Sequence, residues 1–126
     1  MFKRLKRLFG KSNPIVNVVR LEGVIASGRS LSASLNAKGL EPVLVKAFRK
    51  KPAAVALAIN CPGGSPVQSA LIASRIRALA AENKIPVYAF CEDVAASGGY
   101  WLACAADEIY GDQNSIVGSI GVISGG

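Results

Sequence analysis

Two stretches of this 126-residue sequence hold residue types at spacings that could do chemistry. The first is Ile59-Asn60-Cys61-Pro62-Gly63-Gly64-Ser65, and the second is Asp93-Val94-Ala95-Ala96-Ser97-Gly98-Gly99-Tyr100. In each, an apolar run gives way to a helical pattern within a few residues. Adjacent glycines let the backbone turn sharply and approach a ligand closely. Their N–H groups, beside a helix N-terminus, suit negative charge developing on an oxygen. A serine at such a junction is lifted clear of the sheet, with the helix dipole behind it. Read singly, the first stretch is an ordinary turn and Ser97 a helix N-cap. Read together, at the carboxyl ends of strands where ligands gather in parallel sheets, they outline an acyl-transfer site.

Other chemistries are excluded by what the chain lacks. It contains no histidine, so Ser-His-Asp and Cys-His catalysis and histidine-based metal sites cannot arise within it. Cys61, Cys91 and Cys104 are scattered without CxxC spacing, which suggests neither a disulfide framework nor a zinc centre. No metal and no cofactor is therefore expected. A catalytic thiol at Cys61 would lack its histidine, and a small buried side chain is the simpler account.

Charge is segregated. Residues 1–52 carry 12 Lys/Arg against 2 Asp/Glu, whereas residues 53–126 carry 3 against 6. A basic front on a mildly acidic body argues against a nucleic-acid-binding surface spread over the whole chain, and no nucleic-acid partner is expected. Residues 1–14 read as a basic arm and residues 15–126 as one globular portion. No run of about 18 apolar residues is present, and the arm lacks the apolar core of a secretory signal. As a helix, the arm would align Phe2, Leu5 and Phe9 on one face, with Lys3, Arg4, Lys6 and Arg7 over much of the rest. That pattern fits peripheral contact with an anionic membrane; a solvated, frayed tail is the plainer alternative.

The elements that must position Ser97 and the glycines follow from periodicity. Residues 15–25, rich in β-branched side chains, predict a strand, and the small polar residues 26–38 a loop. Leu40, Leu44, Ala47 and Phe48 recur at helical spacing over 40–50, and Pro52 stands just past that helix. The apolar run 53–59 fits a strand buried on both faces. Ser65 is a plausible N-cap with Pro66 at the first helical position and Gln68 completing a capping box. That helix runs to about residue 81 with Ile72, Ile76 and Leu79 inward. A strand at 87–91, a helix of about ten residues from Ala96, and short strands at 107–110 and 119–123 complete the order. Alternating strands and helices predict an α/β fold, a mostly parallel sheet with crossover helices.

The stretches INCPGGSPVQSALIASRIRAL and DVAASGGYWLACAADEIYGDQNSIVGSIGVI resemble the signal-peptide-peptidase-A family, which includes protease IV and SohB-like members. The likeness spans about residues 15–124. It implies a Clp-protease/crotonase-like fold of repeated β-β-α superhelical units. It implies a serine endopeptidase that uses a Ser–Lys dyad, cuts signal-peptide remnants or membrane-associated peptides, works as a homo-oligomer, and is cytoplasmic or peripheral at the inner membrane. By position, Ser97 matches the nucleophile. Gly98 and one of the pair Gly63 and Gly64 match the oxyanion-hole donors; which of the pair donates is left open by the sequence. Ser119, in GSIGV, falls in a signature and reads as structural.

The matching lysine is absent from these residues, since the sequence stops 29 residues after Ser97, amid a family segment. That ending reads as a partial chain, inactive by itself. Lys46, Lys50, Lys51 and Lys84 each have a solvated reading and none matches the dyad position. A serine hydroxyl is a weak nucleophile until a base takes its proton. Two other accounts stay open: a non-catalytic relative that serves as an assembly or binding subunit, and a crotonase-type acyl-CoA enzyme, which needs no serine in the Ala-Ala-Ser-Gly-Gly context.

Overall fold

A computed structural model of the chain describes residues 13–28 and 34–121. Five strands and three helices alternate: β1 (Val16–Glu22), α1 (Ala37–Ala47), β2 (Ala54–Cys61), α2 (Pro66–Asn83), β3 (Val87–Ala96), α3 (Gly98–Ala103), β4 (Glu108–Gly111) and β5 (Ile116–Gly118). All pairings are parallel, in the order β1-β2-β3-β4, with β5 also on β3. The basic arm, apart from its last two residues, lies outside the described residues, as do the last two residues of the strand expected at 119–123, whose first three are not in a strand.

Alternation along each strand divides the sheet into two faces. Val19 and Leu21 of β1, Val55, Leu57 and Ile59 of β2, and Val87 and Ala89 of β3 are buried and join one core with Leu40 and Leu44 of α1 and Ile72, Ile76 and Leu79 of α2. The alternate residues of β2 are small, Ala54, Ala56 and Ala58, between bulkier neighbours on β1 and β3. On that second face Val18 and Phe90 stay exposed. The strand expected to be buried on both faces is thus packed by helices on one face, and shielded on the other mainly by its flanking strands.

Helix starts follow the local chemistry. Asn36 caps α1 by accepting from Gly39 N at 2.8 Å, and Ser65 Oγ caps α2 by accepting from Gln68 N at 3.2 Å. The second half of the expected capping box does not form. Gln68 Oε1 instead accepts from Ala37 N at 2.9 Å, tying the starts of the two helices together, while Ser65 N donates to Ile25 O. A bidentate Arg75–Glu41 pair joins the same helices further along.

The register between β2 and β3 shifts between Ile59 and Cys61, so Ile59 faces Cys91 but Cys61 faces Ala95. Asn60 Oδ1 fills the irregularity by accepting from Val94 N at 3.2 Å. Such bulges bend a strand and re-aim its end. Here Tyr88–Cys91 pair with β4, and Val94–Ala96 swing over to pair with β5. That turn of the chain delivers Ser97 to the diglycine bend.

Candidate active site

Ser97 sits at the end of β3 and immediately before α3, with φ 54° and ψ −120°. A left-handed φ is costly for any residue with a Cβ and marks a forced turn. Two backbone bonds hold it: Ser97 N donates to Gly118 O at 2.8 Å, and Ser97 O accepts from Trp101 N at 3.0 Å. Its side chain makes no capping hydrogen bond. Ser97 therefore stands at the cap position without capping through its side chain, and it lines a cleft.

The diglycine bend lies directly against it. A Cβ on Gly63 would stand 2.8 Å from Ser97 Cβ and 3.0 Å from both Ala96 O and Gly98 N. Gly63 has φ 113° and Gly64 φ 144°, conformations that side chains other than glycine's rarely adopt. A Cβ on Gly64 would collide with Ile25 O, and one on Gly99 with Cys61 O. Only glycine fits at these positions, because two strand ends and a helix start meet with their backbones in contact.

The two glycines are not equivalent. Ile25 N donates to Gly63 O at 2.9 Å and Ser65 N donates to Ile25 O at 2.8 Å, so Gly64 is bracketed by bonds to Ile25. In an extended segment successive N–H groups point to opposite sides. Gly64 N–H is therefore turned away from Ile25, and Gly64 lines the cleft with Ser97 and Gly98. Gly63 is buried and does not line it. The N–H of Gly98, in the first turn of α3, is without an intrahelical acceptor.

The cleft measures about 660 Å³. Beyond Ser97 and the glycines, Tyr100, Trp101, Cys104 and Ser119 line it. Ser119, read as structural, has φ 58° and borders the same space as Ser97. A hydrogen bond with the Cys104 side chain, with that thiol's charge and some burial behind it, raises the Tyr100 phenol above its ordinary value. Cys61 is fully buried behind the bend, and burial pushes its thiol up despite a backbone bond at Gly63. A nucleophilic thiol needs the opposite shift.

Two positioning residues had no clear signal in the sequence. Ile25 was legible only as the last residue of a strand, yet its backbone fixes the bend from the outside. Ser69 is fully buried; its Oγ donates to Ser65 O at 2.7 Å, and a Cβ on Gly98 would strike that Oγ. Its place one turn after the Ser65 cap, on the inward face with Ile72 and Ile76, is the trace that could have found it. Among the described residues no lysine lines the cleft. Lys50 and Lys51 precede β2 and Lys84 precedes β3, all at the amino ends of strands, whereas Ser97 stands at a carboxyl end.

Residues 80–126 match peptidase family S49. The chain is 54% identical over 127 aligned residues to a Na(+)/H(+) antiporter NhaA of Brucella melitensis, a match covering 98% of this chain and 17% of that protein. Among the described residues no helix is long and apolar enough to cross a membrane. The chain is 45% identical over 75 residues to the chloroplastic serine protease SPPA of Arabidopsis thaliana, covering 60% of this chain and 11% of that protein. The chain thus spans a small part of these relatives' length. Among solved structures, the 1510-N membrane-bound stomatin-specific protease superposes with a TM-score of 0.64 at 21% identity, covering 88% of this chain and 48% of that one. The likeness fixes the fold as Clp-protease/crotonase-like. The segment that carries Ser97 and α3 thus matches peptidase family S49, and the chain is similar to proteases named for signal peptide peptidase A.

Proposed function

We propose that this chain carries the nucleophile and oxyanion hole of a serine endopeptidase. Ser97 Oγ attacks the scissile carbonyl, and the carbonyl oxygen becomes an oxyanion held by Gly64 N–H and Gly98 N–H. Collapse breaks the C–N bond, releases the amine with a proton, and leaves an acyl ester on Ser97; water then hydrolyses the ester. One observation carries the reading: the bend at Gly63-Gly64 and the turn at Ser97-Gly98 touch, backbone against backbone, beside one cleft.

The base that takes the Ser97 proton is a lysine outside the described residues, since those preceding β2 and β3 stand at the opposite edge of the sheet. On this reading the 126 residues alone hydrolyse nothing. Signal-peptide remnants and membrane-associated peptides are the substrates, as the resemblance implies. The working form is a homo-oligomer, cytoplasmic and held at the inner membrane by the Phe2, Leu5 and Phe9 face of the basic arm. Treating the whole protein with a peptide aldehyde or a fluorophosphonate and mapping the modified residue tests the nucleophile. Modification at Ser97, lost in Ser97→Ala, is expected. Peptide hydrolysis that survives Ser97→Ala would refute the assignment; an intact, folded protein that neither hydrolyses peptides nor takes the aldehyde would favour the non-catalytic binding subunit.

A further inference from the structure

Among the described residues, five other than glycine hold a positive φ, and they divide between the two ends of the parallel sheet. Ser97 and Ser119 lie by the cleft at the carboxyl ends. The other three are Lys50 (φ 60°), Lys51 (φ 49°) and Lys84 (φ 56°), just before β2 and β3 at the amino ends. The left-handed conformation costs an ordinary residue about 1 kcal/mol or more, and glycine or asparagine usually fills it. Lys84 caps α2, where a cation also meets the helix dipole favourably. Lys50 and Lys51 lie beyond the Phe48 cap of α1, where neither caps a helix. There the charge itself is what the strained lysines supply.

Lys46 and Arg49 stand beside them, and all four side chains are exposed. Among the described residues the ion pairs engage Arg20, Arg75 and Arg77, and none engages these four. Of the acidic groups, Glu82 lies shortly before β3, and Asp107 and Glu108 at the start of β4, where Arg77 already holds Asp107. The corner also receives the N-terminal segment: Ala53 N donates to Ile15 O at 2.8 Å, two residues after Lys51. Ile15 and Val16 are exposed there, and Val43 is exposed on α1 one turn before Lys46.

We propose that Lys46, Arg49, Lys50 and Lys51 form a docking surface for an anionic lipid membrane, which holds the molecule by the amino ends of its strands. β2 has eight residues, and at about 3.3 Å each the cleft lies about 25 Å from this corner, at the far end of the sheet. A docked molecule keeps Ser97 open to water. Lysine-rich charge bordered by exposed aliphatic side chains suits a lipid interface. A single-stranded nucleic acid would call for exposed aromatic platforms, and Phe48, the aromatic here, is buried. The proposal extends the membrane reading of the arm but stands on described residues, and it is independent of the peptidase reading.

The test is co-sedimentation of the protein with phosphatidylcholine vesicles, with and without phosphatidylserine, at low and physiological salt. Binding is expected to need phosphatidylserine and to weaken as salt rises. The double variant Lys50→Gly, Lys51→Gly keeps the turn, relieves its strain and folds at least as stably, yet its affinity is expected to fall about tenfold or more. A variant lacking residues 1–12 should bind more weakly but remain sensitive to the same two lysines. Undiminished binding by the glycine variant overturns the proposal, with or without the arm. So do equal binding to neutral vesicles and tighter binding to duplex DNA than to phosphatidylserine vesicles.

Discussion

Ser97 trades conformational ease for a position at which it lines the cleft and its own N–H is pinned to Gly118. At φ 54° a Cβ is a burden, so Ser97→Gly should raise stability by about 1 kcal/mol in urea unfolding while abolishing the acylation proposed for the whole protein. Ser97→Ala should remove acylation without that gain, because it keeps the Cβ. Gly64→Ala should behave oppositely. Its φ of 144° and the collision with Ile25 O leave no room for a methyl group, and a loss of more than about 2 kcal/mol is expected by the same measurement. At this scale the sequence was informative in part. A serine followed by two glycines and a second diglycine at another strand end are local patterns, and both proved to be turns in contact. Which glycine turns its N–H toward the cleft depends on Ile25, far away in sequence, and no local pattern encodes a bridge of that kind.

The helices and strands were legible wherever periodicity was strong. Ile72, Ile76 and Leu79 face inward on α2 as their spacing requires, and β1 and β2 lie where β-branched and apolar runs place them. The differences have physical causes. β3 extends to Ala96 because the shift opposite Cys61 lets it continue on a second partner, β5. α3 has six residues rather than ten because Cys104–Asp107 turn back to the sheet, where Asp107 N donates to Val87 O. β5 lies at 116–118 rather than 119–123, ahead of the turn at Ser119. Two substitutions probe what propensity alone would misjudge. Pro42 lies inside α1 and cannot donate to the carbonyl one turn back. Pro42→Ala should therefore stabilise the protein by about 1–3 kcal/mol, read as a higher urea midpoint. Gln68 looked like half of a capping box, but its acceptor serves Ala37 N on another helix. Gln68→Ala should cost about 1 kcal/mol and leave the Ser65 cap in place.

The described fold is polarised along its strands, with four cations that form no ion pair among the described residues at one end of the sheet and, at the other, a cleft with no charged group among its described lining residues. Between them lies a core that holds two thiols. Burial raises Cys61 above its ordinary value of 9.0, and burial, with Cys104 nearby, raises Cys91 in the same direction. The folded protein thus keeps these protons more tightly than the unfolded chain, and the linkage has a definite sign. The contribution is fully present below about pH 9, where both states are protonated. It is lost as pH rises through the folded values, because the unfolded chain gains by ionising first. Unfolding midpoints should hold level from pH 7 to 8 and fall above about pH 9. Replacing both thiols, Cys61→Ala with Cys91→Ala, should lower stability throughout by opening small cavities, yet flatten the decline between pH 8 and 10. Slope, rather than absolute stability, is what decides, since a cavity shifts every point alike. A double variant that declines as steeply as the parent would mean that the alkaline loss comes from elsewhere, with the Tyr100 and Tyr110 phenols, both raised, next in line. Alkylation of the native protein near pH 8 gives an independent reading: exposed Cys104 should react first, with Cys61 and Cys91 following only as the fold opens.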